Sequence, residues 1–128
     1  MKKILITNNR YAYDEHKDTL EAKLYEDFTY LDILFLVRDR IHEGYRLITH
    51  PLSGSVKPNE TPYKSIIIGD KGSTLDLDSL RMIEESIATA EKFMKNAPTP
   101  NWTERVLDDF RVIDLSLITG AIERMIDL

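Results

Sequence analysis

Arg46-Leu47-Ile48-Thr49-His50-Pro51-Leu52-Ser53-Gly54-Ser55-Val56-Lys57-Pro58-Asn59-Glu60-Thr61-Pro62-Tyr63-Lys64-Ser65-Ile66-Ile67-Ile68 sets two apolar runs around a long polar segment. Arg46–Thr49 and Ser65–Ile68 read as buried strands. The segment between them, starting at His50, holds three of the chain's five prolines and almost nothing apolar. A connection this long without periodicity is either functional or disordered. Each proline locks its own φ and restricts the residue before it, so a fixed path is expected. The segment reads as a rigid polar loop facing a ligand or a partner.

Upstream, Thr29-Tyr30-Leu31-Asp32 fits a capping box. Tyr30, Leu34, Val37 and Ile41 follow at helical spacing, widened by Ile33. Gly44 is a natural stop, and Tyr45–Thr49 then forms a strand. Nearer the start, Lys3–Thr7 is a β-branched apolar run suited to a central strand, closed by the turn residues Asn8-Asn9. Tyr11–Asp18 has no clear period, whereas Leu20–Tyr25 alternates like an edge strand. Downstream, Gly69–Ser73 is a loop, and Asp76 and Asp78 open a helix with the stripe Leu80, Ile83, Ile87, Ala90 and Met94. Asn96–Pro100 breaks it. Asn101-Trp102-Thr103-Glu104 is an amide-capped start for another helix, with Val106, Phe110, Ile113, Leu117 and Ala121 as its core face, widened by Leu107, Ile118 and Ile122, a break near Asp109 being left open.

Strand, helix, Gly, strand is the order of a βαβ unit. The fold expected is a single α/β domain over residues 1–128. Its central sheet would be largely parallel, with about four strands covered by roughly three helices, in a Rossmann-like three-layer sandwich.

The chain carries a net charge of -5, which gives no global attraction to nucleic acid or to an anionic membrane. It has no cysteine, so thiol catalysis, disulfides and sulfur-bound metals are excluded for these residues. The apolar run after Lys2-Lys3 is shorter than the ~7–15 residues of a signal peptide core. No stretch approaches the ~20 apolar residues of a membrane span. A soluble cytoplasmic protein is the expectation.

Ligands of parallel α/β sheets bind beyond the carboxyl ends of the strands. That end would receive Asn8 and Asn9 from the first strand and the loop from the third. Within the loop, Ser53-Gly54-Ser55-Val56-Lys57 can cradle an anion through amides, hydroxyls and one ammonium. It matches neither a Walker A loop nor a nucleophile elbow. Lys57 and Lys64 are ligand contacts or solubilising charges, and Asn59 and Thr61 are contacts or turn pins. His50, at the loop root, is a switch or base candidate with Glu60 or Asn8, or simply shapes the loop. The ligand set is therefore Asn8, Asn9, His50, Ser53, Gly54, Ser55, Lys57, Asn59, Thr61 and Lys64. His16, His42 and His50 share no metal-ligand spacing, and no metal or cofactor is expected. Asp114 beside the last helical stripe is an edge position or a hydrogen-bond acceptor for a loop across the sheet.

Three strings carry a resemblance. They are Met1–Asn9, a strand ending in Ile6-Thr7-Asn8-Asn9, then Val37-Arg38-Asp39-Arg40-Ile41-His42-Glu43-Gly44, and the loop from Leu47 to Ser65. Asp78-Ser79-Leu80 and Asp109-Phe110-Arg111-Val112-Ile113-Asp114-Leu115-Ser116-Leu117-Ile118 continue it. Together they resemble the GrdX family, small proteins encoded beside components of glycine, sarcosine and betaine reductases in amino-acid-fermenting anaerobes. The resemblance implies a context and transfers no residue roles. In that context a chain without cysteine is an accessory, non-redox protein that binds a small anionic metabolite at the His50–Lys64 loop. The alternatives are a protein-interaction or assembly module docking on a reductase subunit through that loop, and a small hydrolase or transferase using His50. Neither nucleic acid nor membrane is an expected partner, and a homo-oligomer is left open.

Overall fold

The computed structural model describes residues 2–54 and 56–126. Four strands and four helices follow in the order β1 (Lys3–Thr7), α1 (Arg10–His16), β2 (Glu21–Leu24), α2 (Tyr30–His42), β3 (Arg46–Leu47), β4 (Ser65–Gly69), α3 (Leu77–Asn96) and α4 (Glu104–Ile126). The sheet order is β2-β1-β4-β3.

The sheet is mixed, which corrects the largely parallel, Rossmann-like expectation. Only β1 and β2 run parallel, with Leu5 opposite Ala22. β4 runs antiparallel to β1, with Leu5 opposite Ile67, and antiparallel to β3 as well. The cause lies in the β3–β4 connection. A parallel pair needs a crossover that carries the chain back along the sheet, usually a helix. The described residues of the polar loop form no helix, and the chain returns so that β4 pairs antiparallel. The all-apolar Ile66–Ile68 run also arises without parallel pairing, because helices cover both faces of this central strand.

Ile4, Ile6, Ile66 and Ile68 point to α2 and α3, where Ile33, Leu34, Val37, Ile41, Ile83 and Ile87 close the larger core. Leu5 and Ile67 point the other way, to Ala12 of α1 and Ile118 of α4. The alternation of strand side chains dictates this split. α2 forms as its residues demand. Thr29 Oγ1 accepts from Asp32 N, Asp32 Oδ2 accepts from Thr29 N, and Gly44 turns the chain at φ 109°.

Among the described residues the helices number four, not three. α1 is a short helix capped by Asn9, whose side chain accepts from Tyr11 N. Its seven residues bury only Ala12 and His16, too few positions to show a period. The last helix starts at Glu104 and is led in by Thr103 rather than Asn101, since Leu107 N reaches Thr103 O at 2.9 Å. It runs unbroken past Asp109. Its inward face is turned from the centre of the expected stripe towards the Ile118 and Ile122 side, with Asp114 and Ile118 buried while Ile113 and Leu117 are 40% and 37% exposed.

Candidate functional site

β1 ends where β4 begins, with Thr7 opposite Ser65. The polar residues at this junction close a hydrogen-bonded ring. Asn9 N donates to Thr7 Oγ1 at 2.9 Å, and the Thr7 and Ser65 hydroxyls lie 2.7 Å apart. Ser65 Oγ donates to Asp114 Oδ2 at 2.7 Å, and Asn9 Nδ2 donates to the same oxygen at 3.0 Å. Since the Ser65 proton goes to Asp114, the Thr7 hydroxyl donates to Ser65. Burial nevertheless pushes the Asp114 carboxyl up from its ordinary value, against the hydrogen bonds from Ser65 and Asn9 and the charge of Lys64.

Asn8 sits outside the ring and fastens the loop to it. Its Nδ2 donates to the carbonyls of Phe28 and Pro62, each at 2.9 Å, and its Oδ1 accepts from Lys64 N at 2.9 Å. The same loop is tied at two further points, where Trp102 Nε1 donates to Glu60 O at 2.7 Å and Asn59 Nδ2 donates to Ala97 O at 2.9 Å. Thr61 Oγ1 accepts from Tyr63 N at 3.2 Å and fixes the final turn. Gly54, at φ 94°, lies against Leu117, where a Cβ would collide with that side chain.

Lys64 is the anomaly among the lysines. It is 6% exposed, whereas the side chains of Lys2 and Lys57 are 63% and 64% exposed and pair with Glu21 and Glu60. Strand alternation puts Lys64 on the Ile66 and Ile68 side, over the Tyr30 ring at 5.7 Å from its centroid. Among the described residues no carboxylate lies within ion-pair reach of its Nζ. Burial lowers its pKa from the ordinary lysine range, and the Asp114 charge offsets this only in part. Burial likewise raises the Tyr30 phenol, with the charge of Asp114 adding to the shift. Tyr30 is the first residue of α2, so the positive end of that helix's dipole also disfavours an ammonium and favours an anion here.

Lys64, Tyr30, Tyr63, Thr61, Ser53 and Asp114 line a small cavity, whose enclosed part measures about 10 Å³. That is room for about one water-sized sphere. The arrangement offers one ammonium or amine, hydroxyls and a carboxyl around that space.

The ten residues singled out in the sequence separate into groups. Lys64, Thr61 and Ser53 meet at the cavity. Asn8, Asn9 and Asn59 are buried anchors, and Asn59 Oδ1 finds no donor among the described residues. His50 is exposed, and its Nδ1 accepts from Leu52 N at 3.0 Å, shaping the loop root. It opens on two shallow grooves, one shared with Ala121 and Arg124 and one with Asp76 and Ser79. Lys57 is on the surface, paired with Glu60 at 3.9 Å. Gly54 is exposed, and Ser55 lies outside the described residues.

Sequence reasoning passed over Thr7, Ser65, Tyr30 and Tyr63 as site residues. The available signal was strand alternation, which sets Ser65 and Lys64 on opposite faces just before three isoleucines. Arg111 was also missed, and it is fully committed. Its Nε donates to Tyr63 Oη at 2.9 Å, and its terminal nitrogens meet Glu104 at 2.7 Å and Asp108 at 3.4 Å. It therefore orients Tyr63 at the cavity wall. Among the described residues no cluster of His, Asp or Glu could hold a metal ion, and no helix is long and apolar enough to cross a membrane.

A family model described as GrdX-like protein matches residues 4–123, nearly the whole chain, and the chain belongs to that family. Neither a curated protein nor a solved structure matches it.

Proposed function

We propose that this GrdX-like chain is an accessory, non-redox protein of the glycine, sarcosine and betaine reductase system that binds a small anionic metabolite at the Lys64 cavity. One observation carries the reading, a buried lysine that lines a cavity and has no carboxylate within 4.0 Å among the described residues, Asp114 acting on it only from farther off. Lysine is almost never fully buried unless paired. A carboxylate or phosphate oxygen entering the cavity would supply the missing partner, with hydroxyls of Tyr30, Tyr63 and Thr61 around it. The absence of cysteine from this chain supports an accessory role over thiol or selenol chemistry.

The loop's part in this reading is positional. Its backbone bonds to Asn8 hold Lys64 and Pro62 in place, and Ser53 covers the cavity from outside. At about 10 Å³ the cavity admits a single oxygen of an anion rather than the whole of it. A thermal-shift panel of acetate, phosphate, acetyl phosphate and glycine tests the reading on wild type and Lys64→Met. A ligand at ~100 times its dissociation constant adds about 2.7 kcal/mol. For a domain of this size that is a rise of several degrees. The expected result is such a rise for at least one anion in wild type and none in the variant. No rise in either protein, or an equal rise in both, overturns the reading.

A further inference from the structure

Along α4 the loop leaves two openings, with Ser53 on the edge of each. The Lys64 cavity lies towards Ile113 and Leu117. One helical turn further on is a groove of about 300 Å³, with Ile48, Ala121 and Met125 as its apolar lining and His50, Ser53 and Arg124 as polar lining. That volume is at the lower end of the range for small-molecule sites, roughly 300–1,000 Å³.

Charge sets this groove apart. Arg124 lines it, and among the described residues no carboxylate does. The groove on the other side of His50 is lined by Asp76 and Asp78, and the one between α1 and α4 by Glu15 and Glu123, neither with a lysine or arginine. A chain of net charge -5 thus keeps acids away from this one opening. Among the described residues no carboxylate lies within 4.0 Å of the Arg124 guanidinium. The neutral donors are set by the loop's own bonds. Leu52 N donates to His50 Nδ1 at 3.0 Å, which leaves the proton of a neutral ring on Nε2. Ser53 N donates to His50 O at 3.1 Å and closes the turn that joins the two residues. Thr49 Oγ1 accepts from Ile67 N at 2.9 Å, so the strand end carrying His50 is fixed to β4.

We infer that this groove binds a short aliphatic monocarboxylic acid, such as butanoate, its carboxylate on Arg124, His50 and Ser53 and its chain on Ile48, Ala121 and Met125. One guanidinium balances one negative charge, and His50 Nε2–H and Ser53 O–H add neutral donors. A dianion would leave one charge unbalanced. The ammonium of an amino acid would meet a cation and no carboxylate, so unsubstituted acids are selected over amino acids. The site is separate from the Lys64 cavity, and the inference stands whether or not that cavity takes an anion.

Amide NMR titration of the folded protein with butanoate, 2-aminobutanoate and butylammonium tests this. The expected result is saturable movement of the Thr49 and Ser53 amides and those of residues 121–125 by butanoate, with a dissociation constant on the order of 1 mM for so open a site. Binding of 2-aminobutanoate and of butylammonium should be at least about tenfold weaker. Arg124 is exposed, so Arg124→Gln leaves the core intact, and it should weaken butanoate binding at least about tenfold. Lys64→Met should leave butanoate binding unchanged. No saturable movement at those amides, or equal binding by Arg124→Gln, overturns the inference. Equal affinity for 2-aminobutanoate overturns the ligand class. Binding lost in Lys64→Met but kept in Arg124→Gln would place the anion in the Lys64 cavity, and the groove would fall while that cavity stands.

Discussion

Lys64 costs the fold stability that a neutral side chain would not. Its pKa is lowered by burial, so at pH values below its folded pKa the native state must hold an ammonium that the unfolded chain solvates freely. That destabilisation is greatest below the depressed value. It fades as pH rises through the window up to the ordinary lysine value of about 10.4. Replacing Lys64 by Met keeps the length and removes the charge, so at neutral pH Lys64→Met is expected to be more stable by about 1–3 kcal/mol. Chemical denaturation at a series of pH values checks this. The gain should shrink as pH rises, and a loss of stability at neutral pH would show that Lys64 is paired in the fold. The alternation Lys64, Ile66, Ile68 made this burial legible in the sequence, because residues two apart share a strand face. What the residues did not show was the partner across the sheet. Asp114 comes from a helix 49 positions from Ser65, and only the tertiary fold brings them to 2.7 Å.

Elements with local signals were legible, and those set by tertiary contacts were not. The capping box at Thr29 and the stop at Gly44 bracket α2 because both signals act within a few residues. α1 escaped notice because its register is fixed by the Asn9 cap and by tertiary contacts with α4, such as His16 Nε2 with Thr119 Oγ1 at 2.8 Å. α4 was legible as a helix but not in its orientation. Its polar Asp114 faces inward to meet Asn9 and Ser65, leaving Val112 51% exposed. Gly44 provides the test at this scale. It combines a left-handed φ with a close approach to Gly72, whose N donates to Gly44 O at 2.8 Å. A Cβ at Gly44 would collide with the Gly72 carbonyl. Gly44→Ala is therefore expected to lower stability by about 1–3 kcal/mol in equilibrium unfolding. An unchanged unfolding midpoint would mean that the α2–β3 turn is not built this way.

At the scale of the whole molecule, the α/β class was legible from two periodicities, and strand direction was not. Direction depends on how each connection travels, and here one helix-free loop reverses β4 against both neighbours. That reversal is what makes the site. It brings the start of β4, and with it Lys64 and Ser65, beside the end of β1 with Thr7, Asn8 and Asn9. In an all-parallel sheet the end of β1 and the start of β4 would lie at opposite ends of the strands. α2 covers one face of this junction through Tyr30, and α4 covers the other through Asp114. The central claim is that this junction holds a buried amine awaiting a ligand. NMR titration of the Lys64 side-chain resonances, with and without saturating acetate, tests it most directly. The account predicts titration clearly below the ordinary lysine range in the free protein, and a rise towards that range when acetate pairs with the ammonium. An ordinary titration in the free protein, unmoved by acetate, would contradict it.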